Sequence, residues 1–144
     1  MENKRVAAAL LFLVIALTAC AAGVVEREER APLEFVVELA EDGPQLAIIL
    51  GLRKTGSLSD DSLHAYWELS NGEGELRAES MNPAVEANAL PDDGTVLELM
   101  TWRGELDPGH YTLIWGVDGI GSTTVEFEIV ENNGALLLGR VSYH

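Results

Sequence analysis

The side chains able to do chemistry in this 144-residue chain are few and scattered: one cysteine (Cys20), three histidines (His64, His110 and His144), and 24 carboxylates against 9 Lys and Arg. A lone cysteine forms no intrachain disulfide and no cysteine-based zinc cluster. His64 and His110 offer a soft-metal pair with Met81 or Met100, but their separation fixes no ligand geometry. Asp60-Asp61 and Asp92-Asp93-Gly94 supply carboxylate and carbonyl oxygens. Neither has the alternating acidic spacing of a calcium loop, and both read better as a helix cap or a turn. No nucleophile motif such as Gly-x-Ser-x-Gly occurs. The expectation is a protein without catalytic residues, metal site or cofactor.

Charge narrows the partners. A formal net charge of -15 argues against nucleic acid, whose phosphates require a basic footprint. It argues equally against a polybasic grip on anionic lipid. The length is room for one domain.

The N-terminus has a three-part layout. Lys4 and Arg5 form a short positive head, Val6 to Leu17 carries no polar side chain, and small residues follow. This is the pattern of a secretory signal peptide. Leu17-Thr18-Ala19-Cys20 resembles the lipobox of bacterial lipoproteins. The resemblance implies a thioether to diacylglycerol on Cys20, cleavage after Ala19, and an acylated new amino group. Two or three acyl chains hold a protein stably to a membrane, where one does so only marginally. The alternative is an uncleaved transmembrane helix, because Val6 to Val25 is charge-free and long enough to span. Either way the positive end stays in the cytoplasm and the rest is exported.

Residues 20–32 are expected to form the lipid anchor and a tether. Glu26 to Arg30 are five consecutive charges of mixed sign, and Pro32 ends the segment. Fully extended, residues 21–32 reach roughly 40 Å at about 3.3 Å per residue, enough to clear the headgroups. A short helical turn over Glu26 to Arg30 is the alternative.

From Leu33 apolar and polar residues alternate with period two, in short runs between turn residues. The runs are Leu33 to Leu39, Gln45 to Leu52, His64 to Leu69, Glu75 to Ser80, Thr95 to Trp102, His110 to Val117, Ser122 to Val130 and Ala135 to Tyr143. Arg53 to Asp61 reads as a loop, and the Ala/Leu stretch between Pro83 and Pro91 is ambiguous. Seven or eight strands, with no amphipathic helix after the signal helix, predict an all-β, antiparallel sandwich over residues 33–144. A core unit of about residues 33–131 is expected to fold alone as a monomer.

Leu106-x-Pro108-Gly109-x-Tyr111 leads straight into a strand. It is similar to the lead-in of the penultimate strand in bacterial immunoglobulin-like and fibronectin-type sandwiches. That resemblance implies a tyrosine corner, with the Tyr111 ring buried and its hydroxyl on upstream backbone. It also implies that Trp67 is the core Trp of strand C. A narrower resemblance joins Tyr111 to Trp115, Asp118-Gly119 and Phe127 to periplasmic copper-binding proteins of the CopC type. Here Ile120 stands where their ligand His would be, and Cys20, not a His, would begin the mature chain.

Tyr66 and Trp67 are adjacent, so on a strand they face opposite sides. Trp67, Trp102 and Trp115 read either as core or as an exposed aromatic strip, and a sandwich of this size needs large residues between its sheets. The function these readings favour is a non-enzymatic binding or structural module of the cell envelope. It would be anchored through lipid on Cys20 and meet an envelope protein or glycan. The alternatives are a carrier of a small solute or metal ion and a proteinase-inhibitor-like domain.

Overall fold

Strand after strand, the period-two pattern decides which side chains are buried. In the computed structural model, which describes residues 31–81 and 84–144, β1 spans Leu33–Asp42 and β2 spans Gln45–Lys54. β1 turns Leu33, Phe35, Val37 and Leu39 inward and leaves Glu34 and Glu38 exposed. β2 buries Leu46, Ile48, Leu50 and Leu52. It is also covered on its outer face: the side chain of Val96 lies so close to Gly51 that a Cβ there would meet it at 2.7 Å. Two covered faces explain why β2 reads as an unbroken apolar run.

The remaining elements are β3 (Ser62–Leu63), β4 (Ala65–Asn71), β5 (Leu76–Met81), β6 (Val85–Glu86), a short 3-10 turn (Ala87–Ala89), β7 (Leu97–Gly104), β8 (Gly109–Val117), β9 (Gly121–Asn132) and β10 (Ala135–Tyr143). One antiparallel sheet has the order β1-β2-β7 and a second the order β10-β9-β8-β4-β5. β3 and β6 form a separate two-stranded pair. The described residues are therefore all-β, with eight long strands among them. The ambiguous Ala/Leu stretch supplies β6 and the 3-10 turn, and the expected loop at Arg53 begins two residues later.

The core lies between the two large sheets. Ala65, Trp67 and Leu69 of β4, Leu113, Trp115 and Val117 of β8, and Val125, Phe127 and Ile129 of β9 are buried in one cluster with the inward residues of β2. The tryptophans make two of the contacts that cross from sheet to sheet. The rings of Trp67 and Trp102 lie 6.2 Å apart at a tilt of 56°. The Trp115 indole N–H donates to the Gly51 carbonyl at 2.9 Å. That bond falls where the β2–β7 register slips between Leu50 and Gly51, and such bulges interrupt the ladder.

The chain divides after Arg30, and Ala31–His144 is a compact unit by itself. β10 belongs to it: Leu136, Leu138 and Val141 pack on the core. A boundary at 131 would therefore leave out a strand that the compact unit includes. At the other end the backbone carbonyl of Pro32 accepts from Thr55 N–H (2.9 Å) and Gly56 N–H (3.2 Å), and Thr55 Oγ1 donates to the Ala31 carbonyl at 2.6 Å. The expected signal segment 1–19, its cleavage at Ala19, Cys20 and the tether to residue 30 lie outside the described residues. Among the described residues no helix is long and apolar enough to cross a membrane.

Candidate functional site

The outward residues of the five-stranded sheet build an open, polar surface feature. Alternation points His110 and Thr112 of β8 and Glu126 and Glu128 of β9 away from the core, while Tyr111 and Phe127 between them are buried. Register then brings distant residues side by side. His110 stands opposite Glu128, and Thr112 opposite Glu126, which in turn faces Ser142 of β10. The β9–β10 register shifts between Leu138 and Val141, so Gly139 and Arg140 share the place opposite Glu128. Gly139 suits that bulge, since a Cβ there would sit 3.3 Å from the Glu128 carbonyl oxygen.

These side chains wall an open trough of about 500 Å³ across β8, β9 and β10. It continues past His110 and Gly72 into a depression of about 320 Å³ between the β4–β5 turn and the Asp107–Gly109 corner. His144 Nε2 lies 3.2 Å from Glu126 Oε2 at one end. At the other, Asn71 organises its turn: its Oδ1 accepts from Glu73 N–H at 3.1 Å and Glu75 N–H at 2.9 Å, and its Nδ2 donates to Glu75 Oε2 at 3.0 Å.

Residues 31–144 hold twenty carboxylates and five Lys and Arg. Four of the five cations are engaged by carboxylates: Arg53 with Glu34, Lys54 with Asp92, Arg77 with Glu75 and Arg103 with Asp42. All four pairs have an exposed partner, so their effect on stability is small. Arg140, in the trough, makes no ion pair among the described residues.

The Leu106–Tyr111 segment forms the floor of the corner beside this trough. Leu106 is buried, and Gly109 has φ 150°, a conformation that suits glycine. The Tyr111 ring is 5 % exposed and stacks on Phe127, its cross-strand partner, with centroids 5.5 Å apart at 17°. Its hydroxyl donates to the Asp107 carbonyl at 2.7 Å. Burial, and after it the Asp107 charge, pushes the Tyr111 phenol above its usual range.

The other singled-out residues do not converge. His64, whose carbonyl accepts from Asp118 N–H, lies at the far end of β8 from His110. At about 3.3 Å per residue their backbones are roughly 25 Å apart, too far to share an ion. Ile120 packs partly buried against the core. Thr95, through its side chain and then its backbone N–H, holds the Asp93 carboxyl below the usual range, in a turn. No group of three or more His, Cys, Asp or Glu able to hold a metal occurs among the described residues. Trp67 and Trp115 are buried and Trp102 half-buried, so the tryptophans form no outer strip. Tyr66 does face outward, with its hydroxyl over Gly116, where a Cβ would meet it at 2.7 Å.

The trough was not visible in the sequence, where His110, Glu126 and Arg140 are separate residues in three runs. Only strand pairing gathers them. No family model matches the chain, and neither a curated protein nor a solved structure does.

Proposed function

We propose that this chain is an exported lipoprotein, anchored through Cys20, whose immunoglobulin-like domain binds a protein or glycan of the cell envelope without catalysing a reaction. The strand order supports the domain assignment. β1-β2-β7 corresponds to strands A-B-E, and β5-β4-β8-β9 to C′-C-F-G, with β10 added beyond G. Trp67 then lies on strand C, and Tyr111, bonded to backbone four residues upstream, stands at the start of strand F.

The observation that carries the binding role is the shape of the trough. Sites for small solutes are concave, mostly apolar and enclose most of their ligand. This one is open, polar-walled and laid across three strands, the form of a surface that meets another surface.

Two measurements test the reading. Labelled fatty acid should appear on the wild-type chain and be absent from Cys20→Ser, which should also remain unprocessed; label on the variant refutes the anchor. A photo-crosslinking side chain at His110, in the trough, should yield a discrete adduct in cells. The same side chain at Glu38, on the outer face of the three-stranded sheet, should not. Equal adducts, or none, refute the binding face.

A further inference from the structure

The chain contains two Asn-Gly pairs, Asn71-Gly72 and Asn133-Gly134. They share one latent reaction. The backbone nitrogen of the glycine attacks the asparagine side-chain carbonyl carbon and gives its proton to solvent base. The C–N bond of the side-chain amide breaks and ammonia leaves, closing a five-membered succinimide. Water then opens either ring C–N bond, giving aspartate or isoaspartate. We propose that Asn133 is a site of this modification in the folded protein and that Asn71, with the same following residue, is protected.

The difference lies in what holds each amide. Asn71 is bound on both ends of its amide: Oδ1 accepts two backbone N–H groups and Nδ2 donates to Glu75 Oε2. Its backbone is held too, with Asn71 N–H on the Glu75 carbonyl and Gly74 N–H on the Asn71 carbonyl, both at 3.0 Å. Bringing its carbonyl carbon to Gly72 N requires breaking these bonds first. Asn133 and Gly134 are exposed at the tip of the β9–β10 hairpin. Both have positive φ, 53° and 79°, and form the two-residue loop between the Asn132 and Ala135 pair. The Asn133 side chain makes no hydrogen bond among the described residues. Apart from its two chain neighbours, no residue comes within 4 Å of a Cβ built on Gly134, so no other segment packs over the turn.

The two products differ in consequence. Aspartate keeps the loop, since Asp-Gly favours the same turn. Isoaspartate adds a methylene to the main chain of a two-residue loop and displaces the pairing of Ala135 with Asn132.

The test uses the full chain in detergent at mildly alkaline pH, sampled over time and digested with trypsin under conditions that suppress further reaction. Asn71 falls in peptide 55–77 and Asn133 in peptide 104–140. Tandem mass spectrometry should show deamidated product at Asn133 accumulating at least roughly tenfold faster than at Asn71, since even one of the hydrogen bonds that must break there is worth about that factor. In denaturing urea the two rates should converge. Glu75→Ala should accelerate reaction at Asn71 in the folded chain. Equal rates in the folded protein, no product at Asn133, or a difference that survives urea would overturn the proposal.

Discussion

Removing one oxygen from Tyr111 tests the corner directly. Tyr111→Phe leaves the ring, its stack on Phe127 and nearly all its volume, and deletes only the bond to the Asp107 carbonyl. A buried acceptor left without a partner costs about 1–3 kcal/mol. Asp107 is exposed, so water can reach its carbonyl, and the loss belongs at the low end, about 1 kcal/mol. Tyr111→Ala also removes the ring from a site that is 5 % exposed and should cost about 3–5 kcal/mol. Tyr66→Phe is the control, since the Tyr66 hydroxyl has no hydrogen bond among the described residues; it should stay within about 0.5 kcal/mol. Urea unfolding of the four proteins should shift the midpoint at constant m-value. The same variant predicts a pH effect. The folded phenol titrates above its unfolded value of about 10, so this residue's contribution is full below that pH and is lost as pH rises through the folded value. Tyr111→Phe should flatten that alkaline decline. If Tyr111→Phe is as mild as Tyr66→Phe and the alkaline limb is unchanged, the hydroxyl bond does not organise the corner.

Trp115→Phe should cost about 2–4 kcal/mol, because it strands the buried Gly51 carbonyl and opens space in the middle of the core; denaturation within about 0.5 kcal/mol of wild type would contradict the cross-sheet bond. Gly116→Ala places a methyl 2.7 Å from the Tyr66 hydroxyl and 2.8 Å from the Gly121 carbonyl oxygen, so it should lose about 1–3 kcal/mol. Adding Tyr66→Ala should recover only part of that loss, since the Gly121 backbone remains in the way; full recovery would show that the ring alone sets the limit.

The strands were legible because alternation is local. Val125, Phe127 and Ile129 against Glu126 and Glu128 announce a half-buried strand with no knowledge of its neighbours. The last strand, Ala135 to Tyr143, was readable for the same reason. Two-residue strands such as Ser62–Leu63 carry too few positions for any period, and β3 and β6 went unread. Arg53 and Lys54 looked like loop because they are charged, yet they close the β1–β2 ladder opposite Glu34 and Leu33. The corner was signalled by Pro108-Gly109 and Tyr111 within six residues. The trough, the Trp115–Gly51 bond and the Glu41 carboxylate that accepts from Leu138 N–H at 2.7 Å all join residues far apart in the chain. Such contacts depend on register, which one sequence does not print.

The clasp of Ala31 and Pro32 on Thr55 and Gly56 has a mechanical consequence. Any tension reaching the domain from its N-terminal side arrives at these three bonds before it reaches β1. Directly behind them Leu33 is seated in the core, and β1 runs on through ten paired positions against β2. Ladder bonds lie across the strands, so a pull along β1 loads them in shear and all share the force. A sideways pull would peel them one pair at a time, but only after the clasp had given way. The geometry thus directs strain into the stiffer mode, and a domain held in flow by its leading end would keep its first strand.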